Sequence, residues 1–447
     1  MTTTPAPAAR ISWIDALAVY LRPRVLIVMF LGFAAGLPLA LSGSTLAVWL
    51  TESNIDLATI GLFSLVGIPY TIKFLWAPLV DALDVPVLSR RLGRRRGWLV
   101  FSQLLLITAI VLLGLCDPSA SIPLITLGAV MVATASATQD IVIDAFRVES
   151  LDTSEQAAGM ASYVAAYRVG MLVAGAGVLA LVAWFEYRGI PRGTAWTWGY
   201  VAAALLMGVG LATTLLAREP DAPERPPAKD GKEILNRVIV TAVGAFKDFL
   251  TQPGAVAILL FVVLFKFCDA FAGVLTAPFV LKIGFDKETY AAVVKGVGFA
   301  AAMIGGFAGG MIARALPLST SLWVAGILQM ASNLVFSWQA LVGANVAALT
   351  FTIVVENFTG AIGTVIFVAY LSALCGNRAH TATQYALLTA LAAIGRTTLA
   401  SGGGFVAEAT GWVLFFIVTA LAAIPSLLLL AWLQGSGHFT RLEAAKP

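Results

Sequence analysis

The feature that most constrains this chain is a run of about 20 apolar residues, repeated many times, each long enough to cross a bilayer as a helix. VLIVMFLGFAAGLPLALS, residues 25–42, is the first. In lipid, backbone N–H and C=O groups find no water, so such runs are expected to be helical, each span satisfying its own hydrogen bonds. Turn and charge signals divide the chain into twelve expected spans, near 25–50, 57–83, 97–115, 122–146, 157–185, 195–217, 253–281, 288–314, 318–339, 343–373, 379–408 and 411–434. Several exceed the minimum, which implies tilt or extension beyond the membrane. Only 12% of residues are charged, half the usual ~25% of a soluble protein. The expected class is an all-α membrane protein.

Composition also removes alternatives. Cys116, Cys268 and Cys375 have no CxxC spacing, and the only histidines are His380 and His438, so neither a disulfide framework, a metal site nor a histidine-based catalytic centre is expected. No cofactor is implied. The net charge of +4 lies in short loops, which argues for topology rather than nucleic-acid binding. The opening MTTTPAPAAR is polar, and the apolar run that follows is too long for a cleavable signal.

One polar stretch, AREPDAPERPPAKDGKEILNR at 217–237, divides the spans six and six and reads as a partly flexible linker. The expected units are 1–217, a linker at 218–252, and 253–447. If the N-terminus is cytoplasmic, cytoplasmic segments hold 19 of the 28 Lys and Arg, and the outer loops hold only Arg188, Arg192, Lys282 and Lys287. This follows the positive-inside rule and puts both termini and the linker in the cytoplasm. The segments 151–170 and 374–395 echo one another after spans four and ten. Two related six-helix bundles, with a site between them at mid-membrane, are what a major facilitator carrier requires. Glycines in GGFAGGM (305–311) and SGGGF (401–405) would let helices approach closely.

Ionisable residues inside spans are costly unless paired or facing a wet cavity, so each is a functional candidate. They are Lys73, Asp140, Asp144, Arg168, Lys266, Asp269, Lys295, Glu356 and Arg396. Lys266 and Asp269 share a helix face and can pair, with Pro278 an expected kink beyond them. Lys295 is a candidate ligand for an anionic substrate. Glu356, beside Asn357, is a dehydrated mid-membrane acid and a proton-carrier candidate, as are Asp269 and Asp140. Asp81 and GRRRG (93–97) resemble the loop between helices two and three of major facilitators, with Pro78 and Ala82 departing from that pattern. The resemblance implies a cytoplasmic gate of Asp81, Arg94, Arg95 and Arg96, latched to Asp144, Arg147 and Glu149. Asp140, a turn deeper than Asp144, is the better candidate for substrate or proton handling.

Several segments resemble the AmpG muropeptide permease family. They include FSLVGIPYTIKFLWAPLVD (63–81), GRRRGW, SATQDIVIDA (136–145), YRVGM, FKFCDAFAG, VKGVG, ENFTGAIGTVIFVAYLSALC (356–375) and TATQYALLTALAAIGR (381–396). They keep the family's order over nearly the whole chain. The resemblance implies proton-driven import of N-acetylglucosaminyl-1,6-anhydro-N-acetylmuramyl peptides through the bacterial inner membrane for peptidoglycan recycling, and a role for Gln139 and Asp140. Such a substrate calls for amide partners (Gln139, Asn333, Asn357, Gln384), aromatic faces (Trp49, Tyr70, Tyr167, Tyr370, Tyr385) and cations (Arg168, Lys266, Lys295). A monomeric carrier is expected. The alternatives are a carrier of another large polar or anionic solute such as acetyl-CoA, and a membrane sensor that moves no solute. A membrane enzyme acting on lipid-linked sugars would need a nucleophile or metal cluster and long outer loops, which the sequence lacks.

Overall fold

The computed structural model describes residues 18–55, 59, 63–221, 231–251, 253–273, 275–286, 289–375, 380–400 and 403–444. Every regular element among them is a helix. Ten are long and apolar enough to cross a membrane, at Pro23–Glu52, Arg94–Leu115, Ile122–Ser150, Gln156–Tyr187, Arg192–Leu216, Ala255–Lys282, Ala292–Ala315, Leu318–Val342, Val346–Leu374 and Gly403–Gly435. They supply spans one, three to ten, and the end of the series. Span two occupies 63–82 in four short pieces, and span eleven begins at Thr381–Ala400. Inside Gly403–Gly435, Gly411 has φ 76° and ψ 167°, breaking the helix so that span eleven ends and span twelve begins there. The twelve expected spans are thus present in order.

Interruptions fall where charges lie. Span two is not the single helix the sequence suggested: Pro69 and Pro78 each start a short helix, and Lys73 opens a 3-10 turn between them. Proline lacks an N–H and clashes with the preceding turn, so it starts helices more readily than it continues them. Span seven breaks after Leu264, leaving Lys266 in the gap and Asp269 in the first turn of Phe267–Gly273. Pro278 is not the kink; it sits within the following helix, Thr276–Lys282. Span eight starts as a π-helix, Tyr290–Val297, which contains Lys295.

Small residues set the closest helix contacts. A Cβ on Gly36 of span one would lie 2.0 Å from the Tyr167 carbonyl oxygen of span five, and one on Gly305 of span eight 2.2 Å from that of Phe358 in span ten. Only glycine fits at either crossing. The apolar core is uneven along the membrane. At the end carrying the arginine-rich loop, called here the basic end, one cluster includes both halves, from Val28, Ile141 and Tyr163 to Phe265, Ile366 and Leu374. At the far end the halves keep separate clusters, around Trp49 and Trp196 in one and Phe279 and Phe416 in the other.

The stretch 217–237, read as a partly flexible linker, is helical from Gly231, where the 20-residue amphipathic helix Gly231–Leu250 begins; residues 222–230 lie outside the described residues.

Candidate functional site

Two groups of polar residues are placed by these interruptions. In the first half, span four presents Ser136, Gln139 and Asp140 within little more than one turn, and span two presents Tyr70 and Lys73. Gln139 is fully buried, yet neither its Oε1 nor its Nε2 has a partner; Ser136 Oγ, Tyr70 Oη and Asp140 Oδ1 are also buried without one. The Tyr70 hydroxyl lies near those of Ser136 and Ser42, in no well-formed hydrogen bond. Asp140 lies within electrostatic reach of Tyr70, Tyr163 and Tyr167, and the last two rings are 5.9 Å apart. Buried polar atoms normally find partners, so five unmet atoms in one neighbourhood mark a place where a ligand or water completes the bonding.

Lys73 Nζ is 3.6 Å from Asp144 Oδ2. Asp144 thus turns to the lysine of span two, not to Arg94–Arg96 as its position suggested. Both groups are at most 16% exposed. Trp76 Nε1 donates to Thr138 Oγ1 at 3.2 Å, fixing span two against span four.

The second half carries an opposing group. Lys266 Nζ donates to Asp269 Oδ2 and, at 3.2 Å, to the Gly360 carbonyl of span ten. Glu356 feels both Asp269 and Lys266, and its neighbour Asn357 donates to the Ile353 carbonyl at 3.0 Å while facing Gly298 of span eight. Adjacent helical positions point about 100° apart, which is why the two serve different spans. The Lys295 ammonium is exposed and lies over the Tyr290 ring, 5.6 Å from its centroid. Arg168 is half-buried, while the side chain of Arg396 lies outside the described residues.

The aromatic candidates separate cleanly. Tyr70 and Tyr167 stay beside Asp140. Trp49 stacks on Trp196 at 5.4 Å and is structural packing. Tyr370 is wholly buried against Phe261 and His438. Tyr385 lies beneath the Arg147 guanidinium, 5.1 Å from it. Asn333 donates to the Cys268 carbonyl inside the second half, so it too is scaffold. Gln384 is buried near the start of span eleven.

A third group joins the halves at the basic end. Arg95 is fully buried; its Nε donates to Glu149 Oε2 at 2.9 Å, and its NH2 reaches Asp81 Oδ1 at 2.8 Å and Glu149 Oε1 at 2.5 Å. Asp81, also fully buried, crosses to the second half. Its Oδ2 accepts from the Thr383 N–H at 2.8 Å and from the Thr383 hydroxyl at 2.7 Å, and Oδ1 accepts from the Ala382 N–H at 3.3 Å. The free N–H groups at a helix start favour an anion there. Arg147 also crosses, donating to Ser372 Oγ at 3.0 Å; it does not pair with the arginine-rich loop. Arg94 reaches the Asp81 carbonyl at 3.0 Å. Arg96 turns away, to the Thr214 and Leu215 carbonyls ending span six. Sequence reasoning missed Thr383 as the donor to Asp81 in the latch, although TATQ has the spacing of a helix-start capping box. It also missed Glu219, whose carboxylate caps the start of span three through the Arg95 and Arg96 N–H groups at 2.8 and 3.0 Å.

A crevice of about 1810 Å³ opens at the basic end, lined by Arg22, Glu155, Glu219, Arg314 and Ser372 among others; Asp140, Asp269 and Glu356 are not in its wall.

The sequence matches the Major Facilitator Superfamily over residues 28–383. A fucose:proton symporter of Escherichia coli has the same fold, with a TM-score of 0.63 at 13% identity, covering 91% of this chain and 98% of its own. A human organic anion transporter superposes with a TM-score of 0.61 at 16% identity, over 93% of this chain and 98% of that one. Among sequence relatives, the anhydromuropeptide permease of Escherichia coli K12 is 39% identical over 96% of this chain and 83% of the relative. A transporter of Rickettsia felis named AmpG 4 is 32% identical over 92% of this chain and 96% of that one. The chain belongs to the AmpG family of the major facilitator superfamily.

Proposed function

We propose that the protein is a permease that carries N-acetylglucosaminyl-1,6-anhydro-N-acetylmuramyl peptides inward across the bacterial inner membrane for peptidoglycan recycling. The 39% identity over 96% of the chain to an anhydromuropeptide permease carries this reading. Chemistry supports it. Gln139, Ser136 and Tyr70 offer unmet hydrogen-bonding groups for sugar hydroxyls and amides, with Tyr163 and Tyr167 as adjacent rings. Lys266 and Lys295 are cations suited to peptide carboxylates.

The basic end faces the cytoplasm in this reading, by the positive-inside rule. Units 1–217 and 253–447 pivot about the site, joined by the linker at 218–252. The shared core and the Asp81 and Arg147 bridges at the basic end then correspond to a carrier closed towards the cytoplasm. Inward movement follows when the latch opens and the far ends close. Protonation of a central acid drives the exchange; Asp140 is the foremost candidate, with an unpartnered oxygen, while Asp269 is held by Lys266 and Glu356 stands beside that pair. Such coupling requires different proton affinities in the two states.

Uptake into proteoliposomes tests the reading. A panel of anhydromuropeptides, free sugars, peptides and acetyl-CoA should show accumulation of the first alone, increased by an inward proton gradient. Uptake indifferent to the gradient removes proton coupling. Preference for acetyl-CoA replaces the substrate, and binding without internal label leaves a sensor.

A further inference from the structure

The helix Gly231–Leu250 carries an apolar face that none of the described residues covers. Leu235, Ile239, Val243 and Leu250 are between 51% and 61% exposed. The first three are spaced by four residues and, with Leu250, keep to one side of the helix. Thr241 and Ala245, on the opposite side, are buried. Lys232 stands in line with the stripe at its start, Asn236 and Lys247 are exposed along one edge with Val240, 57% exposed, beyond them, and Arg237 is paired with Glu233. The apolar part, Leu235–Ala245, is too short to cross a bilayer.

Its position is informative. The helix packs against Ala77–Ala82, which holds Asp81, and against span eleven. A Cβ on Gly244 would come within 2.8 Å of the His380 ring, just before the residues that receive Asp81. The helix therefore bridges both sides of the latch. The segment of span two it adjoins continues the lipid-facing surface, with Leu75 64% and Leu79 38% exposed. That continuity selects the occupant.

We propose that Gly231–Leu250 is an in-plane membrane helix, its Leu235–Ile239–Val243–Leu250 stripe sunk into the headgroup–acyl boundary of the leaflet at the basic end, so that the bilayer itself clamps the Asp81–Thr383 latch. An amphipathic helix with basic residues beside its apolar face binds such a boundary through buried apolar area and attraction to anionic lipid. The inference concerns where the helix lies and is independent of the substrate.

Nitroxide labels in proteoliposomes test it, placed singly on a Cys116→Ser background. Oxygen, which concentrates in lipid, should relax labels at 239 and 243 as it does one at Leu112, a 45% exposed position on span three. A water-soluble nickel chelate should instead favour labels at 236 and 247. Equal nickel access at 243 and 247 overturns the proposal. So does spin–spin broadening at 243 that vanishes on dilution with unlabelled protein, which assigns the face to a second copy. Unsubstituted protein provides a second measurement free of any folding defect. A photoreactive carbene reagent dissolved in the lipid should leave adducts on the 235–250 peptide, and their absence overturns the proposal equally.

Discussion

The Arg95–Asp81–Glu149 cluster at the basic end and the charges in the middle of the first half use the same side-chain types to opposite effect. Around Arg95, two carboxylates and two backbone N–H groups meet with every Asp81 oxygen bonded. Around Asp140, the Gln139 amide and Ser136 hydroxyl are fully buried, the Tyr70 hydroxyl and one Asp140 oxygen are covered within partly buried side chains, and all are left unmet. A completed network resists rearrangement, because removing one member strands a buried charge. An incomplete one is poised for a partner that the chain does not supply. The contrast separates holding from handling.

The largest effect should come from breaking the completed network. Asp81→Ala deprives Arg95 of a partner and the start of span eleven of its anion, a loss of about 3–5 kcal/mol. The thermal midpoint in detergent should fall well below that of the parent; an unchanged midpoint would erase the distinction drawn above. Asp140→Asn should do the reverse, removing accumulation driven by a proton gradient while leaving the midpoint intact. Full uptake by that variant excludes Asp140 as proton carrier. Gln139→Leu removes an unsatisfied amide, so stability should hold or rise while substrate affinity weakens by ~0.5–1.5 kcal/mol, roughly two- to tenfold. Titration calorimetry with an anhydromuropeptide measures that loss, and unaltered affinity would move the sugar site elsewhere.

The smallest effect concerns pH at the basic end. His438, past span twelve, bonds the Tyr370 hydroxyl at 3.1 Å. Burial first, and the Arg441 charge second, push it down from the ordinary 6.5 to about 4. The unfolded chain therefore takes up a proton between those values that the folded chain refuses. Its contribution to stability is complete above pH 6.5 and is lost as pH falls towards 4. His438→Asn should flatten that part of the midpoint-against-pH curve, whereas an identical slope would mean the histidine is not buried neutral.

Much of the fold was legible because lipid leaves so few options. Runs of apolar residues near 20 long must be helices, and the arginines of 90–96 mark one end of the bundle. The Lys266–Asp269 pair followed from three-residue spacing alone. Other readings needed three dimensions. Asp144 and Asp140 are one turn apart, but only the packing of span two decides that Lys73 meets the former. Trp49, Tyr370 and Tyr70 look alike as isolated aromatics, and the neighbouring helices decide which two are core. The helix within the linker was hidden by the proline- and charge-rich stretch before it, although its apolar residues recur with a helical period.

By itself, the sequence determined that this chain is a twelve-span helical membrane protein with a basic side and a short list of intramembrane charges. The physical reason is local: each run carries its own hydrophobicity and closes its own backbone hydrogen bonds. Which charges are satisfied, which are left open, and which bind one half to the other were decided only by the tertiary structure. Those outcomes depend on groups as distant in the chain as Asp81 and Thr383 arriving within hydrogen-bonding distance, and no spacing along the sequence encodes that encounter.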